Sequence, residues 1–484
     1  MRKIYKKLSI LVFLIGLVST AYGNNTVTIY SLPTNTNEGE YTVKITLWKS
    51  YSYKEINTNE YKATSKLGRG FCITLEDIKS VAKIAIKIEG ARNFYLADYC
   101  VMPRDSIRIH FGSSEAKESI GFSGKGAQGF KCKWSVDSSS RFIYLKAKGD
   151  SSIRVLPSEK GRWALEKRLK RSSFFLKTRL EELDNFRHLL SKEVYDLMYT
   201  DIVGSSYAGR YLEIQEFLMD ISIPIEQKRD IQGILPQPLQ HTIPEQLLGM
   251  SKNYIGYLYR KSQLELALSG DDRNSILSFY NKVKGDYSGL MRELVLLHFL
   301  MFNQKGEISN DYEYCLADML TFVKNDANRL IIYNQLQAVS KKSDVYPFEL
   351  KDVNGKIVRP SDFKGKVILL DFWFNGCAGC IKIASIIDKV LYPLYKNKDV
   401  AFVSVNINSK REAWLNGLSS GKYTSKQSTN VNVGELGIKH PFLTHYTIWA
   451  CPRLILVGKD GKIYSSTPPM DEAGLIKMLN LALE

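Results

Sequence analysis

The sequence predicts a multidomain protein with an N-terminal antiparallel β domain, a central α-helical region and a C-terminal α/β domain. Three observations predict this division. Apolar residues alternate with polar ones over residues 24–155, helical periodicity dominates residues 156–340, and buried-strand runs alternate with helical segments over residues 341–484. A chain of 484 residues is also too long for one ordinary hydrophobic core, so we expect separate domains.

The first 23 residues have the three regions of a secretory signal peptide. Its basic residues are Arg2, Lys3, Lys6 and Lys7. An apolar run from Leu8 to Val18 follows, and the small residues Ala21 and Gly23 suit cleavage. The run is short for a membrane-spanning helix, so we expect cleavage after Gly23 and export to the periplasm or cell envelope, with only a transient membrane contact. A retained membrane anchor is the competing interpretation.

The net charge of +17 falls by four, to +13, when these four basic residues are removed. The remaining basic residues are spread singly and do not cluster with stacking aromatic residues. A solvated basic surface explains this pattern, and the sequence therefore predicts no nucleic-acid partner.

The β region is indicated by runs of β-branched and aromatic residues at a period of two, as in Tyr41–Trp48 and Ser106–Phe111. Glycine, asparagine and serine separate these runs. The helical region is indicated by the longer periodic segments 163–190, 195–219 and 311–339, which the proline-bearing stretch 224–244 interrupts.

The C-terminal region begins with the apolar run Val367–Phe374, which is typical of a strand covered on both faces. Helical spacing then runs from Cys377 to Leu391, and Pro393 is expected to kink or end that helix. A second buried strand follows at Val400–Ile407. The remaining predicted elements are a helix at 411–418, strands at 453–457 and 462–466 joined by an Asp-Gly turn, and a helix at 472–483.

Two cysteines, Cys377 and Cys380, stand at the start of the first of these helices. The unpaired backbone N–H groups and the positive end of the helix dipole favour a thiolate at Cys377, and the thiolate is the form that attacks disulfides. Cys380 lies one turn further along the helix and is placed to resolve the resulting mixed disulfide. The spacing therefore predicts dithiol–disulfide exchange.

This order of strands and helices, with the CxxC at the first strand-to-helix junction, resembles the thioredoxin fold. Asp371, six residues before Cys377, stands where thioredoxins keep a buried carboxylate, and Cys451-Pro452 stands where they carry a cis-proline. Residues 345–484 as a whole resemble the TlpA/ResA branch of exported thiol:disulfide oxidoreductases. Residues 102–109 and 122–126 resemble, more weakly, a β domain of unknown function that precedes such domains in Gram-negative envelope proteins.

The resemblance implies exchange with protein thiols and disulfides in the reducing direction, supplied with electrons by an upstream donor in the envelope. No cofactor beyond the redox-active Cys377–Cys380 pair is implied, and no metal. Asp371 is a candidate proton acceptor for Cys380, although a strand-end aspartate making an ordinary hydrogen bond is the alternative. The candidate substrate-binding residues are Trp373, Gly376, Cys451 and Pro452, because a cis-Pro452 leaves the Cys451 backbone free to pair with an extended substrate.

Three features depart from the family pattern. Gly376 stands where related proteins commonly have tryptophan, and its absence removes an aromatic lid. The dipeptide Ala378-Gly379 contains no proline, which leaves the redox potential open. Cys451 adds a third sulfur that either traps a mixed disulfide internally, holds a metal with the pair, or is a small inert side chain.

Two further alternatives stay open. Cys72, Cys100 and Cys132 lie in the predicted β region and allow one structural disulfide, whose pairing the sequence does not select. The first 340 residues carry no recognisable catalytic set. The alternative function is therefore an envelope binding or assembly protein that uses its thioredoxin-like domain as a recognition module.

Overall fold

The structure is a computed structural model. It describes residues 25–32, 40–48, 58–65, 70–90, 93–111, 120–149, 159–229, 231–236, 242–269, 275–302, 310–339, 343–446 and 448–484. The chain divides into two compact units, the first reaching Ser269 and the second running from Gly270 to Glu484. The signal peptide predicted for residues 1–23 lies outside the described residues, and the boundaries at 155/156 and 340/341 stay predictions.

Eight strands form two four-stranded sheets in the first unit, in the orders β4-β1-β7-β8 and β3-β2-β5-β6. The strands are β1 Val27–Tyr30, β2 Tyr41–Trp48, β3 Thr58–Ser65, β4 Cys72–Leu75, β5 Ala82–Gly90, β6 Phe94–Val101, β7 Ser106–Phe111 and β8 Ile120–Lys125. Period-two patterning explains the core, because Val43, Ile45 and Leu47 of β2 are buried opposite the isoleucines of β5.

The expectation of a purely antiparallel sheet is wrong at one pair of strands. β1 pairs in parallel with β7, and Ile29 lies opposite Ile107. The two strands are far apart in the sequence, so no tight hairpin forces them to be antiparallel. The sheet that contains them is therefore mixed.

A helix, α1 Ala127–Gly149, lies within the range expected to be β. The alternation of Cys132, Trp134 and Val136 looks like a strand but has another cause. Phe130 and Trp134 pack on the β core, whereas Cys132 and Val136 pack on a second cluster formed with neighbouring helices. Because two faces of this helix are buried, its apolar residues alternate with polar ones as they do in a strand.

The described residues of the first unit also form four further α-helices: α2 Arg162–Asn185, α3 Lys192–Met219, α4 Glu245–Gly249 and α5 Lys252–Ser269. Ser191 caps α3 by accepting a hydrogen bond from the Val194 N–H at 3.3 Å. Gly204 lets α3 and α5 approach closely, because a Cβ at Gly204 would lie 2.5 Å from the backbone nitrogen of Tyr254. The predicted helical region is confirmed for these segments.

The second unit begins with four helices, α6 Ile276–Asp286, α7 Gly289–Phe302, α8 Asn310–Phe322 and α9 Asp326–Val339. A seven-stranded sheet follows, in the order β10-β9-β13-β12-β11-β14-β15. Its strands are β9 Leu350–Asp352, β10 Ile357–Val358, β11 Val367–Trp373, β12 Val400–Asn406, β13 Thr429–Asn432, β14 Arg453–Val457 and β15 Ile463–Ser465. The helices around it are α10 Ala378–Ile386, α11 Tyr392–Tyr395, α12 Arg411–Ser420, α13 Pro441–His445 and α14 Glu472–Leu483.

The strand β11 is central, parallel to β12 and antiparallel to β14. One face carries Leu370 and Phe372 against Phe442 of α13, and the other carries Leu369 against α10 and α14. Burial on both faces explains the uninterrupted apolar run and confirms the predicted α/β fold. Between α10 and α11 the chain makes a π-helical turn at Ile387–Leu391, just before Pro393, whose missing N–H disrupts the regular helical ladder there.

Among the helices that the structure describes, none combines the length and the apolar character needed to cross a bilayer.

Candidate redox site

Cys377 occupies the N-cap of α10, immediately after the end of β11 and a three-residue loop. Its Sγ accepts a hydrogen bond from the backbone N–H of Cys380 at 3.1 Å. The two cysteines form a disulfide with their Cα atoms 5.3 Å apart. Cys377 is 5% exposed and Cys380 is fully buried, so Cys377 is the more accessible residue of the pair. The free N–H groups of the helix start stabilise a thiolate here.

The peptide bond between Cys451 and Pro452 is cis. The Pro452 ring lies directly against α10, because a Cβ at Gly379 would stand 2.7 Å from Pro452 Cδ. Glycine is therefore required at position 379 by close approach, a reason that the CxxC spacing does not reveal. The contact places the cis-proline beside the dithiol.

Asp371 is 2% exposed and lies on β11 between Leu369 and Trp373, on the face that meets α10. Its Oδ1 has no hydrogen-bond partner among the described residues. Burial raises the pKa of the Asp371 carboxyl from 3.8 to about 8. Both protonation states are thus accessible near neutral pH, as a group that exchanges protons requires.

Cys451 is partly buried and packs against the apolar cluster that contains Cys377 and Cys380. Burial raises the pKa of the Cys451 thiol, and the negative charge of Asp371 raises it further. The thiol is therefore held in its protonated form. In the described part of the chain, no group of three or more His, Cys, Asp or Glu side chains is arranged to hold an ion.

Aromatic side chains close the other side of the dithiol. Trp373 is fully buried, and its ring stacks on the half-buried ring of Tyr423 with centroids 5.7 Å apart and planes 7° apart. Trp414 of α12 completes the cluster with the two cysteines.

The structure thus brings together Cys377, Cys380, Asp371, Trp373, Gly376, Cys451 and Pro452. It adds Tyr423, Trp414 and Gly379, for which the sequence carries no local signal. The other free cysteines are separate: Cys72 is exposed, and Cys100, Cys132 and Cys315 are buried thiols. Cys72, Cys100 and Cys132, which the sequence allowed to form a disulfide, are therefore unpaired in this structure.

Residues 365–463 match the thioredoxin-like family model. The chain is 30% identical over 155 residues to thiol-disulfide oxidoreductase ResA of Bacillus subtilis (strain 168), covering 31% of this chain and 82% of that protein. It is 26% identical over 131 residues to ResA of Geobacillus kaustophilus (strain HTA426), covering 27% of this chain and 71% of that protein. A crystal structure of a putative thiol-disulfide oxidoreductase from Bacteroides vulgatus is 27% identical, with 30% of this chain and 98% of that chain covered at a TM-score of 0.27.

Proposed function

The chain belongs to the TlpA/ResA-like family of thioredoxin-fold thiol-disulfide oxidoreductases, and on that premise we propose that its Cys377–Cys380 pair reduces disulfides of protein substrates in the cell envelope. One observation carries the proposal. Cys377 is the N-cap of α10, its Sγ accepts a hydrogen bond from the Cys380 N–H, and cis-Pro452 lies against Gly379 in the first turn. These contacts favour a thiolate at Cys377, the more accessible residue of the pair.

The exchange begins with the reduced dithiol. The Cys377 thiolate attacks one sulfur of the substrate disulfide, forms a mixed disulfide and releases the other substrate sulfur as a thiolate, which takes up a proton. Cys380 then loses its proton and attacks Cys377 Sγ, so that the second substrate sulfur leaves. The substrate gains two electrons and two protons, and the chain ends with the Cys377–Cys380 disulfide.

Asp371 takes the Cys380 proton in this scheme, directly or through water. The support is its position on β11 beneath α10, its burial and a pKa raised to about 8. The Oδ1 atom of Asp371 is buried and has no hydrogen-bond partner among the described residues, so this oxygen makes no strand-end hydrogen bond. A buried carboxyl oxygen without a partner supports the proton-transfer role.

An extended substrate segment pairs with the backbone of Cys451 beside cis-Pro452 and passes over the exposed Gly376. Trp373 contributes to substrate binding indirectly, because its ring stacks on that of Tyr423. Cys451 takes no part as a nucleophile, since burial and Asp371 keep its thiol protonated. Of the three roles considered for this cysteine, the small inert side chain agrees best with its surroundings.

Each turnover in the reducing direction leaves the oxidised pair, so continued activity needs an upstream reductant in the same compartment. We propose an envelope electron donor for that role and the signal peptide at residues 1–23 as the route of export. The ResA proteins matched by the chain are named as thiol-disulfide oxidoreductases, which supports the exchange chemistry. The direction of exchange and the donor are proposals.

Two experiments test the function. In an insulin-reduction assay with dithiothreitol as reductant, the chain should accelerate disulfide cleavage and the Cys377→Ser variant should not. The Cys380→Ser variant should retain substrates as mixed disulfides on Cys377, visible on non-reducing gels and released by reductant. Equal rates with and without Cys377 would contradict the proposal and favour a binding or assembly role. A potential as oxidising as that of a disulfide-forming catalyst would contradict the reducing direction.

A further inference from the structure

The loop that delivers Cys377 to α10 is held by side chains from distant parts of the second unit. The Asn375 N–H donates to Asn408 Oδ1 at 3.1 Å, and the Gly376 N–H donates to the Tyr423 hydroxyl at 3.1 Å. The Cys377 N–H closes the loop on the Phe374 carbonyl at 3.3 Å. Each backbone N–H of Asn375, Gly376 and Cys377 is therefore satisfied, two of them by side chains outside the loop.

Gly376 is the part of this loop with the greatest intrinsic freedom. Its φ is +93°, in the region that side chains disfavour, and a Cβ built there would meet nothing within 4 Å. No neighbouring atom therefore makes a steric contact at the Cβ position of this glycine. The Tyr423 hydroxyl is the side-chain contact that restrains its backbone.

Tyr423 is itself firmly placed. Its ring lies nearly parallel to that of Trp373, with the planes 7° apart. Trp373 is fixed in turn by α12, because a Cβ at Gly417 would lie 2.7 Å from Trp373 Cζ3. Asn375 is tied to the same helix through its Nδ2, which donates to the Ala413 carbonyl at 2.6 Å. The hydroxyl is thus presented to Gly376 by a packed assembly with little freedom to move.

We propose that Tyr423 is a positioning residue for Cys377, an inference that rests on the dithiol function proposed above. Tyr423 reaches Gly376 from a segment 47 residues further along the chain. The ring closes the side that Gly376 leaves open. The hydroxyl fixes the Gly376 backbone, so that Cys377 Sγ stays where the Cys380 N–H and the helix start stabilise its thiolate.

The consequence for the reaction acts through Gly376. Without the hydroxyl, the loop samples orientations in which Cys377 Sγ leaves the helix start, and the thiolate loses part of its stabilisation. The loss of one hydrogen bond corresponds to a roughly three- to tenfold lower thiolate fraction near neutral pH. The pKa of reduced Cys377 should rise accordingly, by about half a unit to one unit.

The test compares three variants of the full chain. Tyr423→Phe removes the hydroxyl and keeps the ring, and Tyr423→Leu removes both. Tyr395→Phe is the matched control, because the Tyr395 hydroxyl bonds Asn480 Oδ1 at 2.9 Å and the Ile476 carbonyl, both on α14 and away from the dithiol loop. The pKa of reduced Cys377 is measured from the pH dependence of its alkylation, with the peptide that contains Cys377 followed by mass spectrometry, and kcat/KM is measured with insulin.

Tyr423→Phe should raise the pKa of Cys377 and lower kcat/KM about three- to tenfold, in line with the loss of one hydrogen bond. Tyr423→Leu should do at least as much, and Tyr395→Phe should do neither. A Tyr423→Phe variant that titrates like the wild type, or a Tyr395→Phe variant that shifts equally, overturns the proposal. If the wild type reduces no disulfide, the proposed function fails, whereas the pKa comparison still decides the role of Tyr423.

Discussion

Replacing Asp371 by asparagine should change the pH dependence of stability more than any other single substitution at this site. Asp371 is 2% exposed, and burial raises the pKa of its carboxyl from 3.8 to about 8. The folded state therefore binds a proton that the unfolded state releases above pH 3.8. Stability contributed by that proton is fully present below the unfolded pKa and is lost as the pH rises toward the folded pKa.

The magnitude follows from the two pKa values. Between pH 3.8 and about pH 8 the free energy of unfolding should fall by roughly 1.4 kcal/mol per pH unit because of this one group. At neutral pH the carboxyl then costs about 4 kcal/mol relative to a side chain that does not titrate. Asparagine removes this dependence but brings an amide that needs partners, at a pH-independent cost of about 1–3 kcal/mol. The change in the free energy of unfolding with pH, and not its absolute value at one pH, therefore identifies the contribution of the Asp371 carboxyl.

The assay is urea unfolding of the oxidised chain from about pH 4 to about pH 9. Amide exchange of peptides from β11 and β12 should report the transition, because two units need not unfold together. Asp371→Asn should gain stability over the wild type steadily up to about pH 8 and run parallel to it above that pH. Asp399→Asn, at an exposed position, is the matched control and should follow the wild type. Parallel curves for Asp371→Asn and the wild type across the whole range would refute the reasoning.

Two further substitutions test the packing around the dithiol. Gly379→Ala should destabilise the second unit by about 1–3 kcal/mol and slow insulin reduction, because its Cβ would meet Pro452 Cδ at 2.7 Å. Gly285→Ala, also in a helix but with nothing within 4 Å, should instead stabilise by up to about 1 kcal/mol, and thermal melts distinguish the two. Cys451→Ser should leave the redox potential and reduction kinetics unchanged, since burial and Asp371 keep the thiol protonated. A shifted potential would return Cys451 to the mechanism.

The C-terminal strands show which elements a sequence can predict. β11, β12 and β14 are visible because both faces of each are buried, which produces runs such as Val367–Trp373 with no polar interruption except Asp371. β9, β10 and β13 are two to four residues long, with sequences LKD, IV and TNVN. A period needs more residues than these strands have, so their pairing is decided by the sheet they join.

The first unit shows the opposite failure, in which a pattern is present but has two possible causes. Cys132, Trp134 and Val136 alternate with polar residues like a strand, yet they belong to α1 and face two different clusters. The periodicity of apolar residues shows which positions are buried, but it does not show which part of the fold they pack against. A helix that packs between a sheet and other helices can therefore show a period of two and be mistaken for a strand.

Some residues of the dithiol site can also be predicted from the local sequence, whereas others are brought there only by tertiary contacts. The positions of Cys377 and Cys380 at the start of one helix could be predicted from their spacing. Asp371 and Pro452 could be placed beside them only through the resemblance to thioredoxins. Tyr423 and Asn408 could not, since each acts on the loop through one contact across 47 or 33 residues. No periodicity records such contacts.

Gly376 is visible in the sequence, but the contact that restrains it is visible only in the folded structure. The sequence shows that a side chain is missing beside Cys377, and a glycine at φ +93° also gives the backbone more conformational freedom directly before that cysteine. A loop with that freedom keeps one geometry only if something outside it supplies the restraint. The Tyr423 hydroxyl and the Trp373 ring beneath it meet that requirement. A glycine before a catalytic helix is thus a reason to search the fold for the residue that holds it, and the pKa of Cys377 in Tyr423→Phe measures how much that residue contributes.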